Sequence, residues 1–158
     1  MLRKIITITL LLFIAASCTK NTDVADYSAT DKKIIEDYLL AKNLMAQSTA
    51  SGLHYIIEKP GGTYRANIHS QVSAFYKGYL VNDTIFDQTT YSLNRPATFV
   101  LNDPTLRAGW KEGVQFIGVG GKIKLLIPSA LGYGTTALTG IPANSVLIFD
   151  IEVVDIYN

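Results

Sequence analysis

Cysteine and histidine are scarce in this chain of 158 residues, which contains one cysteine, Cys18, and two histidines, His54 and His69. A single cysteine excludes an internal disulfide bond. A structural zinc site needs about four ligands at close spacing, and the two histidines stand apart with no cysteine beside them. The sequence therefore predicts no metal site.

Neither basic nor acidic residues are in clear excess. The chain has 14 Lys and Arg against 13 Asp and Glu, a formal net charge of +1, and no run of basic residues. Proteins that bind nucleic acid usually carry a clear excess of basic residues on one face, so the sequence predicts no nucleic-acid partner. Hydrophobic residues make up 48% of the chain, which is enough to bury a core at this length.

The first 17 residues have the pattern of a secretory signal peptide. Arg3 and Lys4 form a short positive region, and residues 5–16 are almost uniformly apolar. This run of about a dozen residues is too short to cross a hydrocarbon core of about 30 Å as a helix. The pattern therefore predicts an export signal over residues 1–17 and not a transmembrane anchor.

The segment Ala15-Ala16-Ser17-Cys18 resembles the bacterial lipobox, in which small residues precede a cysteine that is lipidated and becomes the mature N-terminus. It predicts a lipid on Cys18 that anchors the protein to a membrane of the bacterial cell envelope, with the outer membrane favoured and the leaflet left open. Several acyl chains on one residue give stable anchoring. The alternative is an ordinary secretory signal that contains a cysteine by chance.

A polar tether, residues 18–27, is expected to join this anchor to a helical extension, residues 28–50. Apolar residues recur near helical spacing over residues 28–47, with Ser28 as the expected N-cap and Asp31 in a variant of the capping box. The favoured interpretation is a helix that lies against the following domain, and a dimerising helix is the alternative. Residues 51–158 are expected to fold alone.

After Gly52 the hydrophobic pattern changes from helical to alternating. Closely spaced strands with no long helix between them favour an antiparallel sheet, and one short helix must cover its apolar face. The fold class is therefore α+β. The predicted strands cover residues 53–58, 68–80, 97–101, 122–127 and 146–156, with the helix at 106–114 and a long loop at 128–145.

Residues 72–154 contain a series of short motifs. They are Phe75-Tyr76-Lys77-Gly78, Ile85-Phe86-Asp87, Leu106-Arg107-Ala108-Gly109-Trp110-Lys111-Glu112-Gly113, Gly120-Gly121-Lys122, Leu131-Gly132-Tyr133-Gly134 after Pro128, and the closing segment from Ile141-Pro142 to Asp150-Ile151-Glu152. In these motifs the segment resembles the FKBP-type peptidyl-prolyl cis-trans isomerases. Each shared motif is weak alone, but together, in order and at near-family spacing, they are specific.

The resemblance implies a twisted antiparallel β-sheet wrapped around one short α-helix, with the isomerase domain over residues 51–158. It implies an enzyme that accelerates rotation about X–Pro bonds in exported, Pro-containing polypeptide clients. No bond is broken in that reaction, so no cofactor is implied. A macrolide is a further ligand that the family's pocket implies.

The resemblance also implies an aromatic pocket between the sheet and the helix, with Trp110 as its floor. The backbone N–H of Arg107 would donate to a substrate carbonyl, and Asp87 would orient Tyr76. The implied catalytic residues are Tyr76, Phe86, Asp87, Trp110, Tyr133 and Phe149, and the implied substrate-binding residues are Leu106, Arg107 and Ile141.

The sequence departs from the family pattern at Ala97, where the family often has an aromatic wall residue, and this predicts a more open pocket. Arg107 replaces a residue that is usually aliphatic, although the role there belongs to the backbone. Two alternatives follow. One is a non-catalytic module that binds Pro-containing chains, and the other is a structural surface lipoprotein.

Overall fold

The computed structural model describes residues 26–90 and 93–157. Within them, two α-helices and seven β-strands form an α+β fold, as the sequence predicts. The elements, in chain order, are α1 (Ser28–Ala41), β1 (Gln47–Ser48), β2 (His54–Lys59), β3 (Gln71–Leu80), β4 (Ile85–Gln88), β5 (Ala97–Val100), α2 (Ala108–Val114), β6 (Lys122–Ile127) and β7 (Leu147–Tyr157).

The seven strands form one antiparallel sheet in the order β1-β2-β6-β7-β3-β4, with β5 paired to β3 as well. The two long strands, β3 and β7, lie side by side in its centre. Their side chains alternate between the two faces of the sheet. In β7, for example, Leu147, Phe149, Ile151 and Val153 belong to the main core.

The helix α2 lies directly on β6, and two glycines permit this close approach. A Cβ atom on Gly109 would stand 2.5 Å from Ile127 Cγ2, and one on Gly113 would stand 2.4 Å from Leu125 Cδ2. Between these glycines, Trp110 points into the main core and is 3% exposed. The Gly-Trp-x-x-Gly segment therefore presses a large aromatic ring against the sheet.

The helix α1 covers the opposite face of the sheet, where it forms a second apolar cluster. Ile35 and Tyr38 of α1 pack with Leu126 of β6 and Ile148 of β7, and all four side chains are buried. The favoured interpretation of a helix lying against the domain is therefore confirmed.

The predicted end of this helix was wrong by six residues. The helix ends at Ala41, because Asn43 adopts a left-handed conformation with φ 52°. Its N–H donates to the Leu40 carbonyl, and the Leu44 N–H donates to the Leu39 carbonyl, which is a Schellman motif. Gln47 then belongs to β1, which pairs with β2.

The predicted start of the helix needs two corrections. Tyr27 occupies the N-cap position, and the Ser28 N–H donates to Asp26 Oδ1 at 2.9 Å. Asp31 makes no capping box, because its buried carboxylate accepts hydrogen bonds from Ser129, in the segment after β6. Further along, β3 begins at Gln71 instead of residue 68, since residues 67–70 form a hydrogen-bonded turn.

The predicted signal peptide, the lipidation site at Cys18 and most of the tether lie outside the described residues. In the part of the chain that the structure does describe, no helix combines the length and apolarity needed to cross a membrane.

Candidate functional site

A half-open pocket lies on the α2 side of the sheet, where β3, β4, β5 and β7 meet the segment that leads into α2. Its lining combines an apolar interior with a few polar groups near the rim. The lining residues are Tyr76, Asp87, Phe99, Thr105, Leu106, Arg107, Trp110, Tyr133 and Phe149.

Four aromatic rings build the apolar interior of the pocket. The rings of Trp110 and Phe99 lie 4.4 Å apart between centroids, and the rings of Phe149 and Tyr76 lie 6.1 Å apart. Trp110 and Phe149 are buried, whereas Tyr76 and Phe99 are partly exposed. Such a cavity can hold a small apolar ring and exclude most of the water around it.

Phe86 supports the pocket from behind. Its ring meets Phe149 edge-on at 5.5 Å between centroids. Gly78 on β3 makes room for both rings, because a Cβ atom there would stand 2.7 Å from Phe86 and 2.8 Å from Phe149. In the Tyr-x-Gly motif, the tyrosine therefore places one aromatic side chain at the rim of the pocket. The glycine leaves space for two other aromatic rings.

A hydrogen bond joins the two polar side chains on the β3–β4 side of the pocket. The Tyr76 hydroxyl donates to Asp87 Oδ2 at 2.6 Å, and the antiparallel pairing of β3 with β4 brings the two residues together. Burial and, secondarily, the hydrogen bond to Asp87 raise the pKa of Tyr76 well above its ordinary value. Tyr76 therefore stays protonated and Asp87 remains its acceptor.

The opposite rim carries Arg107, the residue before α2. Its guanidinium lies over the Tyr133 ring, 4.9 Å from the centroid, and it donates a hydrogen bond to the Thr105 carbonyl. Its backbone is extended, with φ −62° and ψ 139°. The Arg107 amide N–H donates no hydrogen bond within residues 26–90 and 93–157, so it is available to an acceptor in a ligand.

The turn before Arg107 is held by Asp103. Its Oδ1 accepts hydrogen bonds from the Thr105 N–H at 2.8 Å and from the Thr105 hydroxyl at 2.7 Å. These bonds lower the pKa of Asp103, with the hydroxyl bond contributing most. The turn thus fixes the entry into α2 and, with it, the direction of the Arg107 amide.

The structure brings together in one pocket seven of the nine residues that the sequence predicts for pocket functions. Phe86 and Ile141 are the exceptions. Phe86 contacts Phe149 but is not among the residues that line the cavity. Ile141 is 5% exposed and belongs to the main core, and it exchanges backbone hydrogen bonds with Leu138.

Sequence reasoning missed two lining residues, Phe99 and Thr105. Ala97 itself does not line the pocket, and Phe99, two residues later, supplies an aromatic wall there. Side chains in β5 alternate between partly buried and exposed, with Ala97 and Phe99 on the same inward face. Because side chains alternate along a strand, the residue two positions after Ala97 lies on the same face. This alternation could have identified Phe99 from the sequence.

The two histidines lie away from the pocket lining. His54 Nδ1 is 3.0 Å from the Gly52 carbonyl oxygen, and His69 is in the turn before β3. Over the described ranges, no group of three or more His, Cys, Asp and Glu side chains is arranged to hold a metal ion.

Residues 62–154 match the family model of the FKBP-type peptidyl-prolyl cis-trans isomerases. Over 145 residues the chain is 42% identical to the FKBP-type peptidyl-prolyl cis-trans isomerase FkpA of Buchnera aphidicola subsp. Schizaphis graminum. That alignment covers 88% of this chain and 56% of the relative. The chain spans about half the length of the curated relatives it matches.

Two solved structures show the same fold. The crystal structure of FkpA from Escherichia coli matches with a TM-score of 0.71 and 36% identity, over 85% of this chain and 61% of that one. The crystal structure of AtFKBP13 matches with a TM-score of 0.61 and 32% identity, over 70% of this chain and 98% of that one.

Proposed function

Because the chain belongs to the FKBP-type peptidyl-prolyl cis-trans isomerase family, we propose that it catalyses cis–trans rotation of X–Pro bonds in Pro-containing polypeptides. The observation that carries this proposal is the pocket itself. A buried tryptophan floor and aromatic walls fit a proline ring, and the Arg107 amide at the rim, which donates no hydrogen bond among the described residues, fits the carbonyl group beside it.

The chemistry suits such a pocket. Rotation about a peptide bond is opposed by a barrier of about 18–20 kcal/mol that arises from amide resonance. The twisted transition state has less charge separation between oxygen and nitrogen than the planar amide. An apolar site that excludes water therefore disfavours the planar form relative to the twisted one. Shape complementarity to the twisted form adds binding energy that the ground state does not receive.

In this mechanism the proline ring rests on Trp110 between Phe149 and Leu106, with Phe86 and Ile141 supporting the walls. The Arg107 N–H donates to the carbonyl oxygen of the substrate. Tyr133 offers its hydroxyl to a second substrate carbonyl. Asp87 holds the Tyr76 ring in place through its hydrogen bond.

The first test is the rate of cis-to-trans exchange in a short X–Pro peptide, which without a catalyst takes tens to hundreds of seconds. The purified protein should shorten this time. Tyr133→Phe removes one proposed hydrogen bond and should lower kcat/KM about tenfold, because a bond formed in the transition state is lost. The melting temperature should hardly change, since the ring and its contact with Arg107 remain.

A matched control for this variant is Tyr64→Phe, which removes the hydroxyl of a tyrosine that is 51% exposed and does not line the pocket. It should leave kcat/KM unchanged. Wild-type protein that binds Pro-containing peptides without accelerating exchange would instead identify a non-catalytic binding module.

Activity should be nearly independent of pH between about 5.5 and 8.5, because no imidazole, the group that ordinarily changes charge in this range, lines the pocket. The raised pKa of Tyr76 leads to the same expectation. A group whose pKa is higher in the folded state contributes stability below its unfolded value, about 10 for tyrosine, and loses it as pH rises further.

Both kcat/KM and the urea midpoint should therefore fall only in the alkaline range, and solvent deuterium should hardly slow exchange. A pH–rate profile with a limb near neutrality that disappears in His54→Gln or His69→Gln would contradict this account, since it would require a titrating histidine.

A macrolide is a proposed inhibitor of the same pocket. Its binding should compete with the X–Pro peptide, because both would place an apolar ring against Trp110.

We also propose that residues 1–17 direct export and that a lipid on Cys18 anchors the mature protein to the bacterial cell envelope, in the outer membrane. In this scheme residues 18–27 are a tether, residues 28–50 a helical extension and residues 51–158 the part that carries the pocket. The clients are then exported polypeptides. The support is the Ala-Ala-Ser-Cys segment after an apolar run.

Substituting Cys18→Ser should move the protein from the membrane fraction to the soluble fraction, or leave it unprocessed, because no thiol remains to carry the lipid. The neighbouring substitution Ser17→Ala retains the cysteine and a small residue, so it should keep the membrane location. Fractionation followed by immunoblotting measures both. Membrane retention of a mature-sized Cys18→Ser band would contradict the lipidation proposal.

A further inference from the structure

Asp31 of α1 is a buried carboxylate with a partner far away in the sequence. It is 1% exposed, and charged side chains are rarely buried to this degree unless they are paired. Its Oδ2 accepts two hydrogen bonds from Ser129, one from the backbone N–H at 2.8 Å and one from the hydroxyl at 2.6 Å. Hydrogen bonds to a charged acceptor in a buried place are among the stronger ones.

Ser129 in turn holds the backbone on both sides of Tyr133. Its carbonyl oxygen accepts hydrogen bonds from the Gly132 N–H at 2.9 Å and the Gly134 N–H at 2.8 Å. The Gly134 carbonyl then accepts a hydrogen bond from Asn144 N–H at 2.7 Å. The position of Tyr133 at the pocket rim therefore depends on where Ser129 is held.

We infer that Asp31 is a positioning residue for the pocket: through Ser129 it fixes the loop that carries Tyr133. The inference rests on the proposed function, and it gives α1 a part in catalysis although α1 contributes no residue to the pocket lining. The helix is already attached to the sheet by Ile35 and Tyr38. The carboxylate is therefore not needed to attach the helix, and its two hydrogen bonds to Ser129 act on the loop instead.

The choice of substitution follows from the geometry. Both hydrogen bonds reach Oδ2, and Asp31 Oδ1 has no hydrogen-bond partner in the described parts of the chain. Asp31→Asn would place an amide N–H₂ in that buried position, so Asp31→Ala is the cleaner variant. Ser129→Ala is a milder second variant, because it removes the hydroxyl bond and keeps the backbone bond. Ile35→Ala is the matched control, since it weakens α1 packing without touching Ser129.

In the exchange assay, well below each melting temperature, Asp31→Ala should lower kcat/KM about tenfold and Ser129→Ala by a smaller factor, because misplacing a contacting group weakens transition-state binding. Ile35→Ala should lower the melting temperature and leave kcat/KM unchanged. In a Tyr133→Phe background, Asp31→Ala should cause little further loss of kcat/KM, because the effects of two substitutions that act through one contact are not additive. Wild-type activity in Asp31→Ala, or losses that simply multiply, would overturn the inference.

Hydrogen exchange gives a readout that does not depend on activity. Asp31→Ala should speed exchange of the Gly132 and Gly134 amides, while the amides of the β6–β7 ladder keep their protection. Ile35→Ala should not speed exchange at these two glycines. If the wild-type protein does not accelerate cis–trans rotation of X–Pro bonds, the proposed function is wrong. Hydrogen exchange at the Gly132 and Gly134 amides still tests the inference in that case. Unchanged protection at Gly132 and Gly134 in Asp31→Ala would overturn it.

Discussion

Replacing Trp110 with leucine should reduce kcat/KM at least about a hundredfold, which corresponds to about 3 kcal/mol of lost transition-state stabilisation. Trp110 is 3% exposed and forms the floor on which the proline ring is proposed to rest. Leucine keeps the site apolar but removes the flat surface and opens a gap beside Phe99. The exchange rate of an X–Pro peptide, measured at saturating and limiting substrate, gives kcat and KM separately.

The variant should also lose stability, because truncating a buried aromatic side chain typically costs about 3–5 kcal/mol. Phe116→Leu is a matched control. Phe116 packs against Tyr55, with ring centroids 4.6 Å apart, and borders the same core without lining the pocket. It should lower the melting temperature and keep kcat/KM. Equal loss of activity in both variants would mean that stability, and not the pocket floor, determines the rate.

Five of the seven strands could be predicted because apolar side chains recur along them, whereas β1 and β4 are short and mostly exposed. Basic and apolar side chains alternate over residues 122–125 and two apolar residues follow, and β6 has the predicted bounds 122–127. The predicted last strand differs from β7 by one residue at each end. The end of α1 was harder to predict, because the apolar pattern continues to Met45. That side chain is 92% exposed, and the left-handed Asn43 ends the helix before it.

The pocket could be predicted from the order of short motifs, each of which places one or two side chains at a fixed point on a strand or helix. The motifs do not reveal which residue forms hydrogen bonds with Asp31. Ser129 stands 98 positions further along the chain, and no local periodicity relates the two residues. A serine and an aspartate near turns and helix ends are ordinarily read as capping residues. Only the packing of α1 across the sheet shows that they meet.

The same packing predicts the effect of removing α1. From the sequence, residues 51–158 are expected to fold alone and keep activity. In the structure, deleting residues before 51 would expose Leu126 and Ile148, which are 0% exposed, and would leave the Ser129 donors without Asp31. Burying one such aliphatic side chain is worth about 1.5–3 kcal/mol. The two together are therefore worth about 3–6 kcal/mol.

A fragment of residues 51–158 should therefore have a much lower urea midpoint than a fragment of residues 26–158, since domains are stable by only about 5–15 kcal/mol in total. The longer fragment lacks the proposed signal and most of the tether but keeps α1, so it should match the mature protein in midpoint and in kcat/KM. Urea titration followed by Trp110 fluorescence measures the difference. Where the short fragment remains folded, its kcat/KM should fall at least as far as that of Asp31→Ala, because Ser129 loses the same acceptor. Equal midpoints for the two fragments would show that α1 is an appendage and that residues 51–158 form a self-sufficient domain.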